Sequence, residues 1–428
     1  MSLDFFAQYQ NLPLNFYLVG GAVRDNLLQR PINDRDYLVV GATVEQMLSL
    51  GFLAVGKDFP VFLHPQTKEE FALARTEKKQ GKGYTGFSCY FAPDVTIEDD
   101  LKRRDLTINA MAMARDGTLI DPFNGQQDLK NKQLRHVSPA FAEDPLRVLR
   151  VARFAARYHA LGFSVADETL ILMQQITASG ELATLTPERI WQEMRKSLLD
   201  SNAEVFFNVL RQCHALKVIW PDLDKLWGIP NPAQWHPEIC SGVHTMMVLA
   251  QASRLSDELD VRFAALCHDL GKTLTAPEHY PSHHGHEKSG LPLVEHACKK
   301  FKVPNKIKQL ALLVCEYHLH CHKALTLRAN TILKLFNAID LWRKPEQFEA
   351  FLLACEADFR GRKGLENNPY PQKDYLQQCA LAAQKITAKA FVEQGLQGVA
   401  IKQAITKARL NAISKVKNSM QITNLTSN

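Results

Sequence analysis

Two aspartates, Asp34 and Asp36, stand one residue apart immediately before the apolar run Tyr37–Val40. Alternate residues of a strand point to the same face, so a strand beginning here would hold both carboxylates side by side. Such carboxylates repel each other unless a cation lies between them, and Mg²⁺ prefers hard oxygen ligands together with substrate phosphates. The pair therefore predicts a metal site for phosphoryl chemistry, and a charged turn is the alternative.

Gly20 and Gly21 lie upstream, where an apolar strand pattern gives way to a helical pattern. Glycine lets a backbone approach a phosphate closely, and the N-terminus of a helix offers it free N–H groups. Arg24, one turn into the helix, can point the same way. Most glycine pairs mark only a tight turn, but a phosphate cradle, an arginine and paired carboxylates together are the parts that two-metal phosphoryl transfer requires.

Three cations, Lys102, Arg103 and Arg104, precede Asp105 and the stretch Leu106–Met113. The arginines could hold a triphosphate. Asp105 is a good N-cap residue, and we therefore predict that Leu106–Met113 is helical.

An arginine-rich helix is predicted to begin at Pro145, with Asp144 as its N-cap residue. Arg147, Arg150 and Arg153 come next at intervals of three residues. A carboxylate and a guanidinium one turn apart can read the edge of a base, while the three-residue step turns the other arginines toward a triphosphate or an RNA backbone. The alternative is the solvent-facing stripe of an amphipathic helix.

The charge distribution agrees with a polyanionic partner. The net charge is +6, residues 102–157 carry eleven Lys or Arg against six Asp or Glu, and residues 394–428 carry five Lys or Arg and no acid. Clustered positive charge suits nucleic acid, because each neutralised phosphate releases counterions. A solvated face whose acids come from elsewhere in the fold is equally compatible with these counts.

The composition, 46% hydrophobic and 22% charged, is that of a folded soluble protein. No apolar run approaches the roughly 20 residues of a membrane helix, and the first residues lack the positive charge of a secretory signal. The nine cysteines are scattered and odd in number, which indicates reduced thiols. We therefore expect a cytoplasmic protein without a membrane partner, as a monomer or a homodimer.

The residue patterns change near residue 140. Before it, short strand patterns such as FYLVG, DYLVVG, FPVFLHP and EEFALART alternate with helical ones. After Asp144 nearly every segment has helical spacing, and proline-rich breaks fall at 220–221 and 228–238. The predicted fold class is α+β, with a mixed N-terminal domain followed by helical ones.

The segments GGAVRD, DRD, RRDLTINA and EDPLRVLRVARF, in this order, resemble the class II tRNA nucleotidyltransferases. These are the CCA-adding enzymes of bacteria and eukaryotes, relatives of bacterial poly(A) polymerases. The resemblance covers residues 16 to about 230 and implies a polymerase-beta-like nucleotidyltransferase head in which catalytic Asp34 and Asp36 bind two Mg²⁺. The 3′-hydroxyl of a tRNA would attack CTP or ATP with release of pyrophosphate. The nucleotide-binding residues that it implies are Gly21, Arg24, Arg104, Asp144, Arg147, Arg150 and Arg153.

Twelve of the fifteen histidines lie between His214 and His322, about a quarter of the chain. This concentration favours metal binding or acid–base work. In the segment LCHDLGK, the neighbours His268 and Asp269 offer a nitrogen and an oxygen that can share one metal ion. A lone histidine is more often a surface or capping residue, so the prediction of a metal site rests on the adjacent residues His268 and Asp269.

LCHDLGK resembles the HD phosphohydrolase superfamily, whose signature is H…HD…D. The resemblance implies a helical domain in which a divalent metal activates water against a phosphoester. The implied metal ligands are His244, His268, Asp269 and Asp358, with His268 and Asp269 as catalytic residues and with His286 and His318 as further candidates. A degenerate HD domain that serves only as a tRNA-binding scaffold is the alternative.

The combination of the two resembles the multifunctional CCA proteins of gamma-proteobacteria. It implies addition and repair of the tRNA 3′-terminal CCA from CTP and ATP. It also implies 2′,3′-cyclic phosphodiesterase, 2′-nucleotidase and phosphatase activities that use Ni²⁺ or another divalent transition metal. The alternatives are a poly(A) polymerase with the same head and a non-catalytic RNA-binding protein.

The domain organisation implied is a nucleotidyltransferase head followed by helical parts. The expected bounds are 1–140 for the head, 141–227 for a nucleotide-selecting and RNA-binding neck, 228–342 for the HD domain and 343–428 for a helical tail.

Overall fold

The computed structural model describes residues 5–55, 60–79 and 87–426 and divides into two compact units. The first consists of Met1–Glu193 and Asn208–Ile219, and the second of Met194–Phe207 and Trp220–Asn428. The predicted α+β class is confirmed, because the strands gather in the first unit and the second is helical. None of the described helices has the length and apolar character that crossing a membrane requires.

The strands found among the described residues are β1 (Asn15–Val19), β2 (Asp36–Val40), β3 (Leu53–Ala54), β4 (Val61–Leu63), β5 (Glu70–Leu73), β6 (Thr76–Lys79), β7 (Phe87–Tyr90), β8 (Ala112–Met113), β9 (Leu119–Ile120), β10 (Gln133–Leu134) and β11 (Ser164–Val165). One mixed sheet runs in the order β3-β4-β5-β2-β1-β8-β9, with β2 and β5 parallel and the other neighbours antiparallel. The predicted strand FPVFLHP is present as β4, and its Phe59 lies outside the described residues.

Side-chain alternation divides the sheet into an aromatic and an aliphatic face. Tyr37 of β2 stacks on its register partner Phe71 of β5 with ring centroids 4.6 Å apart, and Phe16 of β1 packs edge-on against both rings. On the other face, Leu38 belongs to an aliphatic cluster. Asp36 lies on the same face as Leu38, so a carboxylate stands at the end of the aliphatic core.

The helices that begin in the first half of the chain are α1 (Gly21–Leu27), α2 (Val44–Ser49), α3 (Ile97–Lys102), α4 (Gly125–Asn131), α5 (Leu146–Tyr158), α6 (Asp167–Ala178), α7 (Pro187–Leu198), α8 (Ala203–Gln212) and α9 (Ala215–Ile219). Capping boxes start α2 and α3, where Thr43 and Thr96 exchange hydrogen bonds with Gln46 and Asp99 respectively. These local signals are why short, isolated helical patterns in the sequence become helices.

The helix predicted over Leu106–Met113 is wrong. Thr107–Asn109 forms a single 3₁₀ turn, and Ala112–Met113 is strand β8, which pairs with Leu18 and Val19 of β1. The stretch is buried on all sides, so its apolar residues follow no period that separates helix from strand. Pairing with the sheet decides the conformation.

The second unit contains α10 (Pro221–Asp224), α11 (Ser241–Leu255), α12 (Leu259–Cys267), α13 (His286–Ser289), α14 (Leu291–Phe301), α15 (Asn305–His322), α16 (Ala329–Ala338), α17 (Pro345–Arg360), α18 (Pro371–Gln384), α19 (Lys389–Glu393) and α20 (Gly398–Thr426). Helix α12 is buried from Asp260 to Cys267 and packs against α11, α15 and α17. Side chains from these three helices therefore converge on the C-terminal end of α12.

Candidate active sites

The glycine pair and the aspartate pair meet at one edge of the sheet. Strand β1 ends at Val19, whose register partner on β2 is Asp36. Gly20 follows with a φ of 66°, a left-handed conformation that favours glycine, and α1 begins at Gly21. The N-terminus of α1 therefore opens beside the first residue of β2.

Three carboxylates gather at this edge. Strand β2 begins at Asp36, so Asp34 precedes the strand rather than lying on it. Glu70, the first residue of β5, is the register partner of Asp36, and the sequence prediction missed it because the pairing joins distant parts of the chain. Desolvation and the charge of Glu70 raise the pKa of Asp36, Arg104 lowers it, and Asp34 raises it further. A cation at this edge would relieve that repulsion, so the residues fit a metal ion.

Arg104 lies over the glycine turn. Its Nη1 donates to the carbonyl of Asn109 at 3.3 Å and would stand 2.9 Å from a Cβ added at Gly20. The guanidinium groups of Arg104 and Arg103 both bind the buried Asp100, at 3.2 and 2.8 Å. Burial raises the pKa of Asp100, but the two cations outweigh it, and the pKa lies below its ordinary value. An ionised buried carboxylate therefore anchors Arg104 beside the three acids.

Arg24 is buried, with 4% of its surface exposed. Its Nε and Nη2 each lie 3.0 Å from an oxygen of Asp25, and its Nη1 donates to Oδ1 of Asn109. The guanidinium lies 5.1 Å from the ring centroid of Tyr158 on α5. These contacts fix α1 against α5, and a nucleotide-binding role for Arg24 stays a prediction.

Asp144 lies one residue before the N-cap Pro145 of α5 and binds both the first helical residue and a distant arginine. Its Oδ1 accepts the backbone N–H of Leu146 at 3.0 Å, which places the helix start one residue later than predicted. Its Oδ2 accepts Nη2 of Arg189, on α7, at 2.9 Å. The sequence prediction missed Arg189 because nothing local links it to Asp144. A nucleobase that donates a hydrogen bond to Oδ2 of Asp144 must therefore share this oxygen with Arg189 or displace the Arg189 guanidinium.

The arginines of α5 do not form a solvent-facing stripe. Arg147 and Arg153 are only 9% and 8% exposed. Arg147 donates to two backbone carbonyls, Nε of Arg153 lies 2.5 Å from Glu193, and Arg150 lies 2.7 Å from Asp105. The solvent-stripe alternative is therefore wrong for Arg147 and Arg153, whereas Arg150 is partly exposed. These contacts leave a nucleotide-binding role for the arginines as a prediction.

The HD signature residues come together in the second unit. His244 lies on α11, His268 follows the end of α12 and Asp358 lies on α17, all three buried. Oδ1 of Asp358 stands 3.1 Å from Nε2 of His244 and 3.7 Å from Nε2 of His268. This donor spacing suits a single metal ion.

Asp269 forms a second group with His286 and His318, the further candidates of the sequence prediction. Its Oδ1 lies 3.2 Å from Nε2 of His286 and 3.8 Å from Nε2 of His318. Its Oδ2 lies 3.1 Å from Nε2 of His268. Asp269 therefore borders both groups.

The four imidazole rings present Nε2 to the cluster, because an acceptor lies on the Nδ1 side of each. The Nδ1 atoms of His268, His286 and His318 lie 2.7, 2.7 and 3.0 Å from backbone carbonyl oxygens. Nδ1 of His244 lies 3.0 Å from Oε1 of Glu238. Carbonyls and carboxylates accept, so the proton belongs on Nδ1 and Nε2 offers its lone pair. Lone pairs facing carboxylates need a cation between them, so this donor set fits a divalent metal.

The protonation of His318 and of the two aspartates suits metal binding, whereas Asp269 and Asp358 outweigh burial and raise the pKa of His268. Burial lowers the pKa of His318 to about 3. Burial would raise the pKa of Asp269, but His268 and Lys272 act in the opposite sense, and the pKa lies well below the ordinary range. The pKa of Asp358 is lowered in the same way, by His322 and His268. Metal ions bind neutral imidazoles and ionised carboxylates. Within the described structure, Nε2 of His268 and Oδ1 of Asp269 are buried without a well-aligned hydrogen bond.

Residues outside the predicted set hold the ligands in place. Nε2 of His322 lies 2.6 Å from Oδ2 of Asp358, and the Tyr370 hydroxyl lies 2.9 Å from Nδ1 of His322. Nζ of Lys272 lies 2.6 Å from Oδ2 of Asp269. Lys272 belongs to the LCHDLGK segment and could have been found there, whereas no local pattern points to Tyr370.

Three family models match the chain. The "Poly A polymerase head domain" matches residues 16–135, the "Probable RNA and SrmB- binding site of polymerase A" residues 162–226, and the "HD domain" residues 242–342. The chain therefore joins a segment that matches the poly(A) polymerase head to a segment that matches the HD domain. This confirms the combination that the two sequence resemblances predicted.

Solved structures of CCA-adding enzymes share the fold of this head-and-HD chain. The Thermotoga maritima CCA-adding enzyme complexed with tRNA-CCA is 21% identical with a TM-score of 0.62, over 95% of this chain and 92% of the other. A CCA-adding enzyme with CTP is 20% identical with a TM-score of 0.59, over 96% and 91%. A CCA-adding enzyme with ATP is 21% identical with a TM-score of 0.60, over 96% and 90%.

Proposed function

We propose that this chain is a tRNA nucleotidyltransferase that adds and repairs the 3′-terminal CCA of tRNA from CTP and ATP. The proposal rests mainly on one observation: three carboxylates, those of Asp34, Asp36 and Glu70, lie together beside the glycine turn and Arg104. Similarity of fold to CCA-adding enzymes complexed with tRNA, CTP and ATP supports it.

The head residues have distinct parts in the proposed reaction. Mg²⁺ held by Asp34 and Asp36, with Glu70 beside them, would neutralise the charge that accumulates on the transferring phosphoryl group. Arg104 and the backbone N–H groups from Gly21 onward would hold phosphate oxygens. The 3′-oxygen of the tRNA bonds to the α-phosphorus, the bond from that phosphorus to its bridging oxygen breaks, and pyrophosphate leaves.

Asp144 and Arg147 would select the base. Cytosine and adenine each present an amino donor next to a ring-nitrogen acceptor on their pairing edge, whereas uracil and guanine present the reverse order. A carboxylate accepts from the amino group and a guanidinium donates to the ring nitrogen, so one Asp–Arg pair accommodates both C and A. Arg150 and Arg153, held by Asp105 and Glu193, would line the same pocket.

The HD domain would be a phosphohydrolase for RNA ends, with 2′,3′-cyclic phosphodiesterase, 2′-nucleotidase and phosphatase activities. Ni²⁺ or another divalent transition metal suits its imidazole-rich donor sets and would supply Lewis-acid activation for attack by water on phosphorus. The residues that would hold it are His244, His268 and Asp358 in one group and Asp269, His286 and His318 in the other. Clearing a blocked 3′ end would prepare a tRNA for nucleotide addition.

The proposed domain bounds remain 1–140 for the head, 141–227 for the neck, 228–342 for the HD domain and 343–428 for the tail. A poly(A) polymerase would use the same head, but the HD domain and the fold similarity along the whole chain favour CCA addition. Incubating a tRNA that lacks its terminal CCA with CTP and ATP tests the proposal. Addition of CCA supports it, a long A tail supports the polymerase, and no addition supports a non-catalytic RNA-binding protein.

A further inference from the structure

A cleft of about 750 Å³ opens beside the metal-ligand cluster of the second unit. Asp269, His286, His318 and Asp358 line its floor. A cavity of this size accommodates a nucleotide-sized ligand. The wall carries side chains that metal binding does not use, and two of them, Trp235 and Arg362, have chemistry that points to a ligand.

Trp235 offers a large aromatic surface at the cleft, with 59% of its surface exposed. The backbone that carries it is held in place: the N–H groups of Trp235 and His236 both donate to the carbonyl of Pro232 at 3.0 Å. The His236 ring packs edge-on against the ring of His244, 4.5 Å between centroids, and its Nδ1 lies 2.8 Å from Glu238. An indole one residue from this anchored ring is held close to the metal ligands without being buried itself.

Arg362 approaches the cleft from the end of α17, four residues after Asp358. Gly361 lets the chain come so near to α11 that an added Cβ would stand 2.7 Å from the Cα of Val248. The next residue, Lys363, donates its backbone N–H to Oε2 of Glu238 at 3.2 Å. Glu238 therefore ties the segment that carries Arg362 to the segment that carries Trp235.

Among the residues that the structure describes, none is an acidic partner of the Arg362 guanidinium. Its Nε is buried, and across the described residues we find neither a hydrogen bond nor an ion pair to this side chain. An unneutralised arginine beside a phosphoryl-transfer centre suits an anionic oxygen, because guanidinium groups match phosphate geometry. An exposed indole suits a flat, unsaturated ring, because bases stack on aromatic side chains.

We propose that Trp235 and Arg362 form a nucleoside-phosphate subsite of the HD cleft, in which the indole stacks on the base and the guanidinium holds a phosphate oxygen. The inference rests on the hydrolase part of the proposed function and adds its specificity: the cleft prefers phosphoesters that carry a nucleobase. Glycerol phosphates and other phosphomonoesters without an aromatic ring are poorer ligands because they leave the indole uncovered.

The test compares two ligands, adenosine 2′-phosphate and glycerol 2-phosphate, by calorimetric titration of the full-length protein with Mn²⁺ present. Trp235→Ala should weaken binding of the nucleotide by about 5- to 150-fold, the range for loss of one base-stacking contact, and change glycerol 2-phosphate less than about twofold. Trp235→Phe should restore most of the affinity. Arg362→Gln should weaken both ligands, because both carry the phosphate. Leu274→Ala, an exposed apolar truncation elsewhere in the same unit, is the matched control.

Two results would overturn the subsite. One is a Trp235→Ala variant that binds both ligands as the wild type does, or weakens both equally. The other is a wild type that binds adenosine 2′-phosphate no more tightly than glycerol 2-phosphate. Hydrolysis of the two ligands is measured in a separate assay with the same protein preparations. Preferential binding of the nucleotide without its hydrolysis would contradict the hydrolase proposal while leaving the subsite intact.

Discussion

Asp36 and Glu70 face each other as register partners on the parallel strands β2 and β5. The charge of Glu70 helps to raise the pKa of Asp36, so the two carboxylates repel each other electrostatically. Glu70→Gln should reduce the rate of nucleotide addition about 10- to 100-fold, the range for a lost supporting carboxylate at a metal site. Single-turnover extension of tRNA measures it, with Glu98→Gln, an exposed acid on α3, as control. Wild-type rates in Glu70→Gln would show that Glu70 is only a sheet residue.

The two carboxylate-containing sites should be separable by mutation. Asp34→Ala should lower nucleotide addition about 100-fold or more, because charge stabilisation in the transition state is lost, and should leave hydrolysis of 2′,3′-cyclic AMP unchanged. The double variant His268→Ala, Asp269→Ala should behave in the opposite way. Both activities are measured on each purified protein. Loss of both activities in either variant, with folding intact by circular dichroism, would contradict two independent sites.

Glu238 should tighten metal binding in the HD domain although it is not among the predicted ligands. Its Oε1 lies 3.0 Å from Nδ1 of His244 without the alignment of a hydrogen bond, and this contact favours the ring orientation that turns Nε2 toward Asp358. Glu238→Gln should therefore weaken the affinity for Ni²⁺ about 10- to 100-fold, measured by calorimetric titration. Glu366→Gln, a change of the same chemistry at a carboxylate close enough in space to interact with Glu238, should leave the affinity unchanged. Equal Ni²⁺ affinities in the wild type, Glu238→Gln and Glu366→Gln would show that Glu238 does not contribute to metal binding.

Asp105 should stabilise the first unit in a pH-dependent way. Burial raises the pKa of Asp105, but Arg150 and the hydrogen bonds from Asn109 and Leu106 outweigh it, so the pKa lies well below its ordinary value. A carboxyl whose pKa is depressed on folding stabilises the protein above its unfolded pKa of about 3.9 and loses that effect as the pH falls toward the folded value.

Asp105→Asn should accordingly lower the free energy of unfolding by about 2 kcal/mol at pH 7, less than for a fully buried pair because Arg150 is partly exposed. Urea denaturation at pH 7, 5 and 3.5 measures it. The deficit should hold between pH 7 and 5 and shrink below about pH 4. A deficit that stays constant down to pH 3.5 would mean that the carboxylate charge contributes nothing. The exposed Asp167→Asn change is the control.

The parts of this protein that the sequence could predict are those that depend on neighbouring residues. The apolar run in DYLVVG predicts β2, and the glycines after FYLV predict the turn that Gly20 makes with its positive φ. In each case the local pattern and the final environment agree.

What the sequence could not predict depends on contacts between distant segments. Glu70 reaches Asp36 only through parallel pairing of β2 with β5, and Arg189 reaches Asp144 from another helix. The spacing of the arginines on α5 predicts a solvent-facing side. The acidic residues that pair with them, such as Glu193, lie outside the helix and cannot be identified from its pattern. The stretch Leu106–Met113 is buried on all sides, so its sequence shows no hydrophobic periodicity that distinguishes a helix from a strand. Its prediction as a helix is therefore wrong.

The measurement that tests the central proposal most directly is extension of a tRNA that ends just before its CCA, with CTP and ATP both present and every product sequenced at its 3′ end. We expect the wild type to add C, C and A and then stop, and Asp34→Ala to extend the tRNA at least about 100-fold more slowly. A long tail of A residues, or wild-type products made equally well by Asp34→Ala, would contradict the proposal.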